Sequence, residues 1–204
     1  MELMEAISKR RTIRDFSQEK VDPAIIKKAL EAGLKAPSYN HLKEWNYILV
    51  KDSNLRVALT QTEKMLEHTT DDLKQSLKSY EDLVKNMYLD AVPKQKKMIL
   101  GAPELLVVVY KPKTQVRDSK RVYDLNCLAS VWCCIENILL SLAENDVFGV
   151  TFIPQNTCAV KKVLNIPEEL EVAAIIPFGY RAVDAKIYPQ KEVNLVERLH
   201  IDLW

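Results

Sequence analysis

From Leu125 to Ala143 the chain is almost continuously apolar, broken mainly by Asn126, Glu136 and Asn137 and bounded by Asp124 and Glu144. A stretch of this length could cross a bilayer. A spanning helix would have to hide the Glu136 carboxylate in hydrocarbon, at considerable cost. The reading adopted is a helix buried on nearly all sides of a soluble core, with a membrane role set aside. A chain built around such a helix must supply layers to cover it. With 204 residues, 48% hydrophobic and 28% charged, it has enough for a single domain over 1–204.

The covering layers are legible as alternating helix and strand signals. Leu3 and Ile7 open a short helix that runs into the basic cluster, and Phe16 to Val21 reads as a loop. Asp22-Pro23 supplies an N-cap and a proline at the first helical position, ahead of a helix to Leu34 that ends near Gly33 and Pro37. Trp45 to Val50 alternates as a strand. Residues 53–100 are charged and helical in character, broken at Pro93. They form either an excursion that covers a site or a merely solvated helix pair. Glu104 to Tyr110 is a strand apolar on both faces, hence buried on both. After the long helix come a strand at 148–153, a helix from Asn156 to Leu164 and a strand at 173–180. The tail 181–204 is extended and polar, but Val193, Leu195, Val196, Leu199, Ile201 and Trp204 imply that it packs on something, such as a second subunit.

Composition removes several function classes. With 29 basic and 28 acidic residues, bulk charge gives no argument for nucleic acid or an acidic membrane, so any anion site must be local. Only four glycines are present and none forms GxGxxG or GxxxxGK, which disfavours a Gly-rich phosphate loop. Any nucleotide phosphate must then be held by side chains. Cys127, Cys133, Cys134 and Cys158 form no CxxC pair and read as buried reduced thiols, which favours a cytoplasm. His41, His68 and His200 are scattered, without metal-ligand spacing. The opening MELMEAISKRR has no apolar stretch of signal-peptide length.

Three constellations could carry chemistry. In the first, Arg10, Arg11, Thr12 and Arg14 offer guanidinium groups that bind phosphate bidentately, with a hydroxyl between them. On a helix, Arg10 and Arg14 would share a face. Taken alone, the run also reads as a solvated basic stretch. The second, Pro37, Ser38, Tyr39, Asn40 and Lys43, lies on a loop between helix and strand that can display donors to a ligand edge or serve as a plain connection. The third is the helix start at Asn156 and Thr157, whose first amides lack intrahelical partners and suit an anion or an electron-rich ring atom.

In this order and spacing, the segments resemble the FMN-dependent nitroreductase family over most of the chain. Arg10-Arg11-Thr12-Ile13-Arg14-Asp15-Phe16 is similar to the family's RRS-x-R-x-F opening. Ala36-Pro37-Ser38, with Trp45 following, resembles its APS…N-x-QPW loop. Ala102-Pro103 before the apolar strand, Ala129 to Leu140 in the long helix, Gly149 to Thr157 and Phe178-Gly179-Tyr180 match its remaining pieces. The departures are in the second loop. His41 stands at the family's asparagine, Lys43 at its glutamine and Glu44 at its proline.

The resemblance implies an α+β fold with a mixed, mostly antiparallel sheet flanked by helices, in an intertwined homodimer with exchanged C-terminal tails. Two FMN sites at the interface would be held by Arg10, Arg11, Thr12 and Arg14 at phosphate and ribityl chain. Pro37, Ser38, Tyr39, Asn40 and Lys43 would come from the partner subunit. Asn156 and Thr157 would lie near flavin N5, and Lys191 near the phosphate. Lys43 could favour the anionic hydroquinone by its charge or simply face solvent. The implied activity is ping-pong hydride transfer from NADH or NADPH to a nitroaromatic, quinone or similar conjugated small molecule, with no side-chain acid or base required. The alternatives are reductive dehalogenation or enoate reduction by a family relative, and a non-catalytic FMN-binding or storage protein. Lys94, Lys96 and Lys97 suggest a 2′-phosphate site or plain solvation.

Overall fold

The structure is a computed structural model describing residues 2–204; Met1, where the expected domain begins, lies outside the described residues. Four strands form one sheet in the order β1-β2-β4-β3, namely Trp45–Leu49 (β1), Glu104–Tyr110 (β2), Val147–Gly149 (β3) and Glu171–Tyr180 (β4). All three ladders are antiparallel, and one isolated parallel bridge joins Thr12 to Gly149. The β2–β4 register slips between Val108 and Val109, which places an extra β4 residue opposite that step.

Period-two alternation explains why β2 is apolar throughout. Leu106, Val108 and Tyr110 enter a core shared with two long helices, Pro23–Leu34 (α2) and Asn126–Glu144 (α7). Leu105, Val107 and Val109 enter a second core on the other face of the sheet. That face is covered by Ser53–Thr60 (α3), Gln95–Gly101 (α6) and Thr157–Val163 (α8), which contribute Leu59, Met98, Ile99 and Val160. The ends of the 53–100 excursion are therefore core elements. Its middle helices, Asp71–Ser76 (α4) and Asp82–Ala91 (α5), bury no residue. Pro93 falls in a 3₁₀ turn between α5 and α6, where its missing N–H costs nothing.

Local chemistry sets the element ends as the sequence predicts. Asp22 accepts from the Ala24 N–H at the start of α2, and Asn156 accepts from Ala159 N–H at the start of α8. Gly33 lets α2 touch its neighbours, since a Cβ there would lie 2.5 Å from Tyr47 Oη and 2.8 Å from Ile138 Cγ1.

Several expectations need correction. Helix α7 is buried on one side only. Ala129, Trp132, Cys133 and Glu136, at i, i+3, i+4 and i+7, form an exposed stripe, because one chain carries too few elements to surround it. The thiols differ accordingly. Cys134 is buried, Cys127 partly so, and Cys133 and Cys158 are exposed. The strand expected at 148–153 is the shorter β3, with Phe152 making a single bridge to Ile175. The opening helix, Leu3–Lys9 (α1), stops before the basic cluster, where Thr12 bridges to Gly149 instead.

Candidate functional site

Arg10 leaves α1 at φ −55°, ψ 125°, and the parallel bridge between Thr12 and Gly149 fixes the next residues as a strand-like ribbon. The side chains therefore do not stand four apart on a helix. Thr12 is exposed, whereas Ile13 is buried in the core. This corrects the helical pairing of Arg10 with Arg14.

Arg10, Arg11 and Thr12 border a cavity of about 160 Å³ with Trp132 and Glu136 of α7 and the backbone-rich segment Gly149–Thr151. Inside it, Arg10 Nε lies 3.2 Å from Glu136 Oε1. The Arg11 guanidinium donates to the Ser8 and Arg10 carbonyls, at 2.5 and 2.7 Å, and so closes the C-terminal end of α1. Two guanidiniums face one carboxylate, which leaves a cationic surplus.

Arg14 goes elsewhere. It is partly buried, and desolvation lowers its pKa, opposed by the nearby Asp90, Tyr188 and Asp15. These neighbours belong to a network. Lys94 bonds Asp15 at 2.5 Å and Asp90 at 2.9 Å, while Lys97 approaches Asp15. Burial works against the Lys94 charge, but its bonds to the two carboxylates more than offset this, and its pKa ends above the usual lysine value. Lys96 is taken by Glu67, so none of the three lysines considered for a 2′-phosphate stands without a carboxylate. Asp15, Asp90 and Glu136 were not recognised as partners from sequence. Only the i, i+4 spacing of Asp90 and Lys94 and the position of Glu136 in the middle of the apolar run signal them.

The second constellation folds as a short 3₁₀ turn, Tyr39–His41, followed by a tight entry into β1. Tyr39 N–H donates to Ser130 Oγ at 2.9 Å, and Lys43 N–H to Ser38 Oγ at 3.1 Å. Lys43 Nζ turns back to the Leu34 carbonyl at 2.7 Å. Pro37 and Asn40 are exposed. Ser38, Tyr39, Lys43 and Trp45 line a small cleft with Cys127 and Ser130 of α7. Trp45 Nε1 is buried with no hydrogen-bond partner among the described residues.

The two constellations therefore use different faces of one helix. At about 100° per residue, Cys127 and Ser130 lie roughly half a turn around α7 from Trp132, Ile135, Glu136 and Leu139. Within one chain they are separate. At the third constellation, Asn156 caps α8, donates through Nδ2 to the Thr62 carbonyl, and is followed by Thr157 as the first helical residue. The N–H just before them, on Gln155, is held by Glu63 at 3.0 Å. Lys191 binds the Glu81 carboxylate at 3.1 Å, and Tyr188 Oη donates to the Asn86 carbonyl, so the first part of the tail lies along α5.

The Nitroreductase family matches residues 7–180, a span containing the basic ribbon, the loop, α7 and the whole sheet. The chain belongs to the nitroreductase family. An iodotyrosine deiodinase of Thermotoga neapolitana is 27% identical over 192 residues, covering 94% of this chain and 95% of the relative. The crystal structure of an oxidized iodotyrosine deiodinase bound to FMN and 3-iodo-L-tyrosine superposes with a TM-score of 0.74 at 23% identity, covering all of both chains. An FMN-dependent nitroreductase of Clostridium difficile superposes at 0.66 with 18% identity, covering 98% of this chain and 99% of that one. The fold is thus the α+β nitroreductase fold, an antiparallel sheet flanked by helices.

Proposed function

We propose that this protein is an FMN-dependent oxidoreductase, a cytoplasmic homodimer that passes a hydride from NADH or NADPH to a small conjugated acceptor. The observation that carries this reading is the ribbon Arg10–Arg14. It presents two guanidiniums and a hydroxyl to one cavity, opposite the backbone of Gly149–Thr151, in a chain without a Gly-rich phosphate loop. That donor set fits a phosphate monoester.

The cavity's size also supports a second subunit. Cofactor sites usually enclose roughly 300–1,000 Å³, and one chain here provides about 160 Å³. The exposed stripe of α7 adjoins this cavity through Trp132 and Glu136, and the loop 36–45 lies on the opposite side of the same helix. Pairing two copies across α7 would bring each loop to the other's ribbon.

The bound cofactor would supply the two-electron chemistry, accepting and returning a hydride. The chain's own residues bind and orient. Arg10 and Arg11 would hold phosphate oxygens, with Arg10 exchanging Glu136 for the ligand, and Thr12 would add a hydroxyl donor. Arg14, desolvated beside Asp90 and Asp15, would reach the cofactor by turning away from that network. Pro37, Ser38, Tyr39, Asn40 and Lys43 would form the partner-side wall, Asn156 and Thr157 would present amides, and Lys191 would reach the phosphate by leaving Glu81. No side-chain acid or base is needed.

A second reading of the acceptor, reductive removal of halogen from a phenol ring, is favoured by the likeness to iodotyrosine deiodinases. The experiment is anaerobic mixing of the FMN-loaded protein with NADH or NADPH, then with nitroaromatic, quinone and halophenol acceptors. Flavin bleaching followed by acceptor-dependent return of colour is expected. A protein that takes up no FMN contradicts the cofactor reading, and one that binds FMN but never bleaches is a carrier.

A further inference from the structure

The turn into β1 is unusually strained. Asn40, His41 and Lys43 have φ of 50°, 56° and 48°, three of the six non-glycine residues with positive φ among those described. Such strain persists where surrounding contacts impose it, and it marks functional loops. One contact lies at the outer edge of this turn. The Tyr39 and Tyr123 hydroxyls are 2.5 Å apart, and their rings meet edge-to-face with centroids 5.5 Å apart. Lys113 Nζ stands 3.9 Å from the Tyr123 ring centroid and 5.5 Å from that of Tyr39.

Donors are left over in this arrangement. Two phenols have two protons and use one between them, so the second can be donated outward. Lys113 makes no ion pair among the described residues, whereas neighbouring Arg121 is taken by Asp124 at 2.9 Å. One uncompensated ammonium and one free phenol proton therefore converge beside two aromatic edges. They match the single charge and two oxygens of a carboxylate; a phosphate dianion would call for more cations.

We propose that Tyr39, Tyr123 and Lys113 form a recognition site for the carboxylate of an aromatic acceptor. This rests on the reading of the loop 36–45 as one wall of the reaction site, and makes these residues determinants of acceptor choice. Electrostatics agree. The hydrogen bond from Tyr123, aided by Lys113 and Asn40, holds the Tyr39 hydroxyl below the usual phenol range, and the same bond pushes Tyr123 above it.

Two measurements test the site. A carboxylate beside Tyr39 opposes phenolate formation, so benzoate should move the earliest phenol ionisation, followed by near-ultraviolet phenolate absorbance, to higher pH. Benzamide should not, and in Lys113→Met the benzoate effect should vanish. With 4-nitrobenzoate and 4-nitrobenzamide as competing acceptors, Lys113→Met should lower the preference for the acid about two- to fivefold, as expected for an exposed charge pair. A titration unmoved by benzoate, or an unchanged preference, overturns the proposal. If the wild-type protein reduces neither acceptor, nitroaromatics are not its acceptors, and the phenol titration alone decides this site.

Discussion

Glu136 occupies the place an anion would need. Its carboxylate pairs with Arg10 inside the cavity, half exposed, so it would compete with the proposed phosphate at the strength of a surface pair. Glu136→Gln should therefore tighten FMN binding by up to about fivefold in a fluorescence titration, and weaker binding would show that Glu136 positions Arg10 instead. A second consequence at this scale concerns Tyr47 and Cys134, whose oxygen and sulfur lie 3.0 Å apart. Burial pushes the Cys134 thiol up to about 11 and Tyr110 up to about 12, and it raises Tyr47 further still. Raised values keep these groups neutral in the fold while the unfolded chain ionises. Their stabilisation is complete below about pH 9 and is lost as pH rises toward 12, by about 2–3 kcal/mol apiece at most. Urea midpoints should fall between pH 9 and 12, and Tyr47→Phe should flatten that fall; a midpoint indifferent to pH would contradict the burial argument.

At the scale of elements, close packing between α2, β1 and α7 sets the strictest limit. An alanine in place of a helical glycine usually gains up to about 1 kcal/mol. At Gly33 the added methyl would meet the Tyr47 ring end and the buried Ile138, and overpacking costs about 1–3 kcal/mol. Gly33→Ala should therefore lower Tm by about 3 °C, and a raised Tm would show that these neighbours yield freely. The elements themselves were largely legible. β2 declared itself buried on both faces, and Asp22-Pro23 marked the start of α2. The basic ribbon did not, because arginine and threonine leave helix and strand open and the bridge to Gly149, far along the chain, chooses. Nor could spacing reveal the Asp15–Lys94 pair, whose members are 79 residues apart. The exposure of Cys133 was present in the stripe it shares with Ala129, Trp132 and Glu136, but an apolar helix does not say which face lacks a cover.

For the whole molecule, the proposed homodimer would account for the uncovered face of α7, the separation of the loop from the ribbon and the apolar tail beyond Lys191. Thiol labelling reports this directly. In the dimer Cys158 should react with a thiol reagent at neutral pH while Cys133 is protected, and dissociating denaturant should expose Cys133 first. Equal reactivity of both in the native protein would leave α7 uncovered. The central claim is that the ribbon holds the phosphate of FMN, and comparing FMN with riboflavin tests it most directly. Charge-assisted bonds contribute roughly 1.5–3 kcal/mol each, so FMN should bind at least about tenfold more tightly than riboflavin, and Arg10→Ala should erase most of that difference. Equal affinity for the two ligands, or a preference untouched by Arg10→Ala, would contradict the account.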